Sequence, residues 1–217
     1  MNAAEIKISL NGTTAFLLPE RAVFLPRSGA LLIADVHIGK AHHFRKNGIP
    51  VPSAGDADNI SRLEALIARK EAREVYFLGD LFHSAPNAAD RSFTEFLEKH
   101  RHIGFTLILG NHDINPLRDF SGASLRAVAS EEKEGCLLTH FRTEHPRLFN
   151  LSGHVHPAVR LRGAGKQYMK VPCFRFDFKQ RFGILPSFGN FTGSHVITPE
   201  KGTGVFVVAG NEVIQVS

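Results

Sequence analysis

The sequence predicts an α/β layered fold, and three observations support this prediction. Short apolar runs rich in β-branched and aromatic residues recur along the chain. Between the first three of these runs lie segments whose apolar residues recur at helical spacing. The last third is rich in strand candidates and has no comparable helical segment. We therefore expect layers of strands and helices, with a last third that departs from a simple parallel sheet.

The strand candidates are short and follow one another along the chain. The earlier ones read LLIA (31–34), VYFL (75–78), FTLIL (105–109), CLLT (136–139) and LFNL (148–151). The later ones read AVRLR (158–162), FRFDF (174–178) and GVFVV (204–208). In FRFDF, the three phenylalanines alternate with Arg175 and Asp177, which predicts one buried and one exposed face of a sheet.

Two segments show the apolar stripe of an amphipathic helix. In NISRLEALIARKEA (59–72), the stripe consists of Ile60, Leu63, Leu66 and Ile67. In SFTEFLEKH (92–100), it consists of Phe93, Phe96 and Leu97. Ser92 precedes Glu95 by three positions, which predicts a capping box at the start of the second helix. We interpret both stripes as core rather than as binding sites.

Length and charge set broad limits on the class of protein. The chain has 217 residues, 43% of them hydrophobic, so we expect a single domain spanning residues 1–217. The formal net charge is +5 and the pI is about 9.4, which favours an anionic partner but also fits a basic protein without one.

Neither the cysteines nor the N-terminus indicates export. Cys136 and Cys173 lie in apolar, strand-like surroundings without a short spacing, so we expect neither a disulfide nor a thiolate zinc site. The first residues lack a basic segment followed by an apolar stretch, and no run approaches the length of a membrane span. We therefore expect a cytoplasmic protein in a reducing compartment, with no membrane contact.

Five of the apolar runs end in side chains that commonly bind metals. In chain order these are Asp35 and His37; Asp80; Asn111, His112 and Asp113; His140; and His154 and His156. Ligands of open α/β sheets gather outside the carboxyl ends of the strands, so these five ends are expected to converge. Glycines beside them, such as Gly79, Gly110 and Gly153, allow sharp turns and close approach of the backbone.

The donor types predict the class of metal. Carboxylates, one carboxamide and imidazoles, with no thiolate, suit Mn²⁺, Fe²⁺ or Zn²⁺ and argue against a copper or iron–sulfur site. The ligands are too many for one tetrahedral zinc. Seven donors, one of them able to bridge, are what two ions roughly 3.5–4 Å apart would need.

The order of these motifs resembles the calcineurin-like metallophosphoesterase superfamily. The matching blocks are DVH, GDLFH, GNHD, His140 and GHVH, which span residues 35–156. The stretches IADVHIGKAHHFRKNGIPVP and FRFDF…LPSFGNFTG further resemble the bacterial branch of ligase-associated DNA damage response endonucleases (PdeM). The superfamily resemblance implies two packed β-sheets flanked by helices, with the metal site at the carboxyl ends of strands.

The resemblance also implies a division of the ligands between two metals. Asp35, His37 and His156 would hold one metal. Asn111, His140 and His154 would hold the other, and Asp80 would bridge them. Mn²⁺ is favoured by the resemblance, while the donor set also accommodates Zn²⁺ or Fe.

A mechanism follows from the chemistry of two cations near a phosphate ester. A hydroxide shared between them would attack phosphorus in line, while the metals neutralise charge on the phosphoryl oxygens. His112 is the candidate that protonates the leaving alkoxide, and Asp113 would orient or charge its imidazole.

Three functions stay open at this stage. The leading hypothesis is a phosphodiesterase, a nuclease of DNA repair that binds DNA through its backbone, with a DNA ligase or helicase as partner. The alternative is a phosphoesterase of cyclic nucleotides or phosphomonoesters. The third is a non-catalytic scaffold, against which the complete GNHD and GHVH blocks argue. The oligomeric state is not predicted.

Other residues near the motifs have two interpretations each. His83 lies at the edge of the expected site. His42 and His43, near Lys40, Arg45 and Lys46, either steer a phosphate backbone or belong to a solvated loop. For His195, a plain position at the start of a strand is favoured over a place in the site. For Phe188 and Phe191, core packing is favoured over base stacking.

Overall fold

The structure, a computed structural model, describes residues 4–51, 55–83, 88–113, 124–163, 165 and 167–217. Three helices occur in these residues: α1 (Lys40–Lys46), α2 (Gly55–Lys70) and α3 (Ala88–Lys99). None of them is long and apolar enough to cross a membrane.

The first sheet contains seven strands of the described chain, which lie side by side in sequence order. They are β1 (Ile6–Leu10), β2 (Thr13–Leu18), β3 (Ala22–Leu25), β4 (Ala30–Ile33), β5 (Glu74–Leu78), β6 (Gly104–Ile108) and β7 (Leu125–Val128). Neighbours are antiparallel from β1 to β4 and parallel from β4 to β7. The parallel half therefore directs the carboxyl ends of β4, β5 and β6 to one edge of the sheet.

The second sheet contains nine strands of the described chain. They are β8 (Glu131–Lys133), β9 (Cys136–Leu138), β10 (Phe149–Ser152), β11 (Pro157–Arg162), β12 (Tyr168–Asp177), β13 (Phe182–Ile184), β14 (His195–Val196), β15 (Gly204–Ala209) and β16 (Glu212–Gln215). The order is β14-β11-β12-β13-β10-β9-β8, and β15 pairs with both β12 and β16. Strand β10 is parallel to β9 and β13.

Alternating side chains on the central strands build two cores. On β5, Val75 and Phe77 face α2 and α3, where Leu63 and Phe93 belong to the same buried cluster. Tyr76 and Leu78 point to the other side, into a cluster that includes Phe149, Leu151, Phe174 and Phe176 of the second sheet. The order of layers is therefore helices, first sheet, second sheet, which confirms the predicted layered α/β fold.

All eight predicted strands occur, whereas three local predictions are wrong. Helix α3 already begins at Ala88, so Ser92 lies inside it and does not cap it. Phe174 and Phe176 are buried as expected, but Phe178 is 42% exposed because β12 ends at Asp177. Residues 40–46, interpreted as part of a loop, form α1.

Candidate metal centre

The carboxyl ends of β4 and β5 stay paired after the two strands end. The backbone N–H of Asp35 donates to the carbonyl of Gly79 (3.2 Å), and that of His37 donates to the carbonyl of Asp80 (3.0 Å). On the second sheet, the N–H of Gly153 donates to the carbonyl of His140 (3.2 Å). These bonds fix the backbone from which the candidate ligands project.

Five candidate ligands adopt a left-handed backbone conformation. The φ angles are 55° at Asp35, 52° at His37, 50° at Asp80, 67° at His154 and 50° at His156. This region is unfavourable for residues with a Cβ atom, and such strain concentrates at functional sites. The surrounding hydrogen bonds therefore hold these side chains in positions that a relaxed chain would rarely adopt.

The first group of donors consists of Asp35, His37 and His156, whose ligand atoms all lie within 4.8 Å of one another. The Nδ1–H of His156 donates to the carbonyl of Gly193 (3.0 Å), which leaves Nε2 as an acceptor 3.2 Å from Oδ1 of Asp35. Both of these atoms are buried without a hydrogen-bond partner in the described structure. Two facing acceptors without a proton between them are the arrangement that a cation would satisfy.

His37 is buried in the neutral state that a metal ligand requires. Both ring nitrogens are buried without a hydrogen-bond partner in the described chain. Burial, with smaller contributions from Lys40 and His156, lowers the pKa of His37 to about 2. The imidazole is therefore uncharged at neutral pH and can offer a lone pair.

The second group consists of Asp80, His140 and His154, again with ligand atoms within 4.8 Å of one another. The Nδ1–H of His140 donates to the carbonyl of Leu78 (3.0 Å), so Nε2 carries the lone pair. This Nε2 lies 3.2 Å from Nδ1 of His154, 3.1 Å from Oδ1 of Asn111 and 3.6 Å from Oδ1 of Asp80. Asn111 therefore joins the second group, as expected.

Two glycines allow the motif loops to approach the carboxylates. A Cβ atom on Gly110 would overlap Oδ1 and the backbone nitrogen of Asp80. A Cβ atom on Gly153 would lie 2.6 Å from Oδ2 of Asp35. Both loops therefore require glycine at these positions.

The residues present fit divalent cations. All seven expected ligands lie in or beside the two groups, their donors are oxygen and nitrogen, and three of the residues carry buried atoms without partners. This combination suits Mn²⁺, Fe²⁺ or Zn²⁺.

His112 lies at the rim of the centre. Its backbone N–H donates to Oδ1 of Asp80 (3.0 Å), and its ring Nε2 lies 4.0 Å from Oδ2 of Asp80. The side chain is 41% exposed, which leaves it accessible to a substrate. Its ring also lies 5.6 Å from that of His37.

Asp113 is directed at the backbone. It is 2% exposed, and its two oxygens accept from the N–H groups of Phe82 (3.1 Å) and Gly110 (3.0 Å). Burial raises the pKa of this carboxyl, against the lowering effect of those hydrogen bonds. In the described structure these bonds connect two motif loops and do not reach the imidazole of His112, so the catalytic role of Asp113 stays a prediction.

His83 and Lys40 border the centre. The ring of His83 lies 5.5 Å from that of His37, 5.4 Å from that of His112 and 5.2 Å from that of His43. Burial and the nearby charge of Lys40 lower the pKa of His83 to about 4. The ring of His83 therefore lies edge-on beside the candidate ligand His37 and is uncharged at neutral pH.

The other histidines singled out above lie on α1 or on β14. His42 and His43 are exposed on α1, whose first residue is Lys40. His195 begins β14, and its backbone N–H donates to the carbonyl of His156 (3.0 Å). That position agrees with the interpretation of His195 as a residue that starts a strand.

A late segment, residues 185–193, forms backbone hydrogen bonds with the chain at the start of the DVH motif. The N–H groups of Phe188 and Gly189 donate to the carbonyls of Ala34 (2.8 Å) and Asp35 (3.2 Å). Arg62 of α2 bonds the carbonyl of Phe188 and the side chain of Asn190 (2.9 Å). Phe188 is fully buried, which confirms core packing for this residue. Sequence spacing did not indicate this role because the segment is some 150 positions from Asp35.

Sequence reasoning also missed Phe141. Its ring lies 4.6 Å from that of His140 and 4.5 Å from that of His154, yet the residue is 50% exposed. The only signal in the sequence was its position directly after His140.

Comparison with known proteins places the chain in a family. A model of the calcineurin-like phosphoesterase family matches residues 30–211. The crystal structure of Pseudomonas putida nuclease MPE is similar with a TM-score of 0.82 and 28% identity, covering 98% of this chain and 100% of that chain. A phosphoesterase of E. coli, Yfce, is more distant, with a TM-score of 0.43, 16% identity and coverage of 83% of this chain and 88% of that chain. No protein with a curated description matches.

The family match spans more than half of the chain and includes every candidate ligand. The similarity to a nuclease structure agrees with the resemblance to the endonuclease branch. The two donor groups fit divalent metals. The chain therefore belongs to the calcineurin-like phosphoesterase family and is a metal-dependent phosphoesterase.

Proposed function

We propose that the protein is a dinuclear metal-dependent phosphodiesterase that cleaves DNA. The observation that carries the proposal is the pair of donor groups linked through Asp35 and His154, in a fold shared over its whole length with a nuclease. The resemblance to repair endonucleases extends the proposal to a cytoplasmic role in DNA repair, beside a DNA ligase or helicase.

The proposed ligands divide as the motifs suggest. Asp35, His37 and His156 would hold one metal, and Asn111, His140 and His154 would hold the other. Asp80, whose Oδ1 lies 3.6 Å from Nε2 of His140, would be the ligand that both share. The resemblance favours Mn²⁺, and the donor set also accommodates Zn²⁺ and Fe. The chemistry that two such cations supply when bound is activation of water as a hydroxide nucleophile and neutralisation of phosphoryl charge.

The protein's own residues complete the reaction. The exposed imidazole of His112 donates a proton to the leaving alkoxide, which otherwise departs with a full negative charge. The hydrogen bond from its backbone to Asp80 keeps this ring beside the proposed bridging carboxylate. Asp113 contributes by bonding the backbones of Gly110 and Phe82, which fixes the loop that carries His112.

The charges of the surface support an anionic polymer as substrate. The net charge is +5. A cavity of about 430 Å³ is lined by Arg142, Lys179 and Arg181 among others, and Arg142 follows the ligand His140 by two positions. Lysine and arginine bind phosphates without reading sequence, so the DNA is held through its backbone.

Parallel assays on the Mn²⁺-loaded protein test this function. The substrates are bis(p-nitrophenyl) phosphate, p-nitrophenyl phosphate, a 2′,3′-cyclic nucleotide, and single- and double-stranded DNA. Asp80→Asn serves as the control for contaminating nucleases. We expect cleavage of the diester and of DNA, and loss of both in the variant. Turnover of monoesters or cyclic nucleotides alone would disprove the DNA substrate, and no turnover with any metal would disprove the enzymatic proposal.

A further inference from the structure

An exposed phenylalanine beside a candidate metal centre calls for an explanation. Phe141 directly follows the ligand His140, and its ring contacts those of His140 and His154. Half of the residue is accessible to solvent. The ring therefore presents an open aromatic face directly beside two candidate ligands, where a planar group of a bound substrate can stack on it.

A polar network centred on the buried Asn150 and Thr139 holds the backbone at Phe141. The hydroxyl groups of Thr139 (2.7 Å) and Thr143 (3.0 Å) both donate to the carbonyl of Phe141. Asn150, only 1% exposed, donates through Nδ2 to the hydroxyl of Thr139 (2.7 Å) and accepts from the N–H of Thr143 (2.9 Å). A satisfied network with a buried centre favours one backbone geometry, so it fixes the point from which the ring of Phe141 projects towards His140 and His154.

A cavity adjoins this ring. It has a volume of about 250 Å³, and its lining includes Phe141 and His140 together with the apolar side chains of Leu109 and Leu137. The hydroxyl residues Ser130, Thr139 and Thr143 add polar groups to the wall. Apolar walls with a few polar groups suit a flat heteroaromatic ring.

We propose that Phe141 and this cavity form a nucleobase subsite, in which the ring of Phe141 stacks on a base of the nucleotide next to the scissile phosphate. The inference rests on the proposed DNA substrate and names a residue that positions it. Stacking requires an unpaired base, so the subsite selects single-stranded or locally opened DNA. The phosphate held at the metal centre and the base held by Phe141 then belong to adjoining parts of one nucleotide strand.

The test uses two variants and one matched control. Phe141→Ala removes the ring and Phe141→Trp retains a stacking surface. Phe178→Ala removes another half-exposed phenylalanine, which packs against Phe149 at the opposite end of β10 from His154. Each is assayed on a single-stranded oligonucleotide in which chemically blocked linkages leave one cleavable phosphodiester, and on copies with an abasic tetrahydrofuran residue on either side of that linkage. Metal content is measured for every variant.

We expect Phe141→Ala to raise KM for the intact oligonucleotide roughly 5- to 150-fold, the range of one base–aromatic stack. The difference in KM between Phe141→Ala and wild type should vanish on the substrate that lacks the stacked base. Phe141→Trp and Phe178→Ala should have the KM of the wild type on every substrate. Equal losses on intact and abasic substrates, or a loss of bound metal, would assign Phe141 to support of the two histidines and overturn the proposal.

A binding measurement separates failure of this inference from failure of the proposed function. An oligonucleotide with 2-aminopurine beside the expected cleavage site is titrated into Asp80→Asn, which is not expected to turn over. Stacking on Phe141 should quench its fluorescence, and the quench should be absent in Phe141→Ala/Asp80→Asn. Quenching that is the same in both proteins would overturn the subsite even if DNA is cleaved. A Phe141-dependent quench without cleavage by the wild type would support the subsite and disprove the nuclease function.

Discussion

The backbone N–H of His154 donates a hydrogen bond of 2.9 Å to Oδ2 of Asp35, across 119 positions of the sequence. Asp35 belongs to one group of candidate ligands and His154 to the other. Oδ2 is thus engaged, while Oδ1 lies buried without a partner beside His156. One carboxylate therefore both offers a donor to the first group and fixes the backbone of the second.

Gly153→Ala should weaken both metal sites. The new Cβ atom would lie 2.6 Å from Oδ2 of Asp35 and 2.8 Å from Cβ of Ala34, so the loop carrying His154 must shift. Loss of such a supporting contact typically lowers metal affinity about 10- to 100-fold. Isothermal titration calorimetry of the metal-free protein with Mn²⁺ measures the change in metal affinity. Gly163→Ala, where the nearest atom to a new Cβ lies 3.8 Å away, is the control at the end of β11, and equal affinities for the two variants would contradict the prediction.

Arg62→Met should destabilise the fold and the first donor group together. Arg62 lies 3.9 Å above the ring of Phe188 and bonds the segment whose amides hold Ala34 and Asp35. Losing bonds from a charged group to a partly buried segment should lower the free energy of unfolding by about 1–3 kcal/mol.

Urea denaturation and Mn²⁺ titration measure these two effects. Arg69 lies on the same helix as Arg62 and forms an ion pair with Glu20 (2.6 Å). Arg69→Met should lower the free energy of unfolding by no more than about 1 kcal/mol and leave metal affinity unchanged. A similar outcome for both arginines would show that the contact with Phe188 does not support the centre.

His112→Ala should retain metal and lose turnover. The ring is exposed at the rim, and its proposed role is protonation of the leaving group. We expect a rate about 10²- to 10⁴-fold lower on DNA, whose alkoxide needs a proton, and a much smaller loss on bis(p-nitrophenyl) phosphate. Comparison of kcat on the two substrates, with His102→Ala as an exposed-histidine control, tests this. An equal loss on both substrates would remove His112 from proton transfer.

Asp56→Asn should stabilise the protein more at neutral than at acid pH. Burial raises the pKa of Asp56, whose Oδ1 accepts from the N–H of Gly39 (3.0 Å). A raised folded-state pKa contributes stability that is present below the unfolded-state pKa and is lost as pH rises through the folded-state value. Asparagine keeps the acceptor and does not ionise, so the variant does not lose stability as the pH rises.

Thermal unfolding of wild type and Asp56→Asn from pH 3 to pH 7 measures the effect. Asp58→Asn removes an exposed carboxylate from the same first turn of α2 and accounts for the general cost of losing that charge. After this correction, the gain in stability of Asp56→Asn over wild type should grow towards neutral pH. A gain that stays constant or shrinks would contradict the prediction.

Local patterns predicted the strands and helices that carry the site, but not all of their bounds or neighbours. The hairpins β1–β2 and β2–β3 were not predicted, although AFLL (15–18) and AVFL (22–25) are apolar runs as long as LLIA. The capping box at Ser92 was wrong because α3 begins four residues upstream, at Ala88, so Ser92 lies within the helix. Propensity signals of this size are readily overridden by burial.

The candidate ligands were identified from sequence because each follows a strand whose apolar run is visible, and parallel strands place such residues at one edge. The sequence by itself therefore determined the residue types, their order and the family. Only the tertiary structure decided which atoms face one another, because contacts such as His154 to Asp35 and Gly189 to Asp35 join loops of two sheets. Sequence spacing carries no information about distances between chain segments that meet only when the two sheets pack.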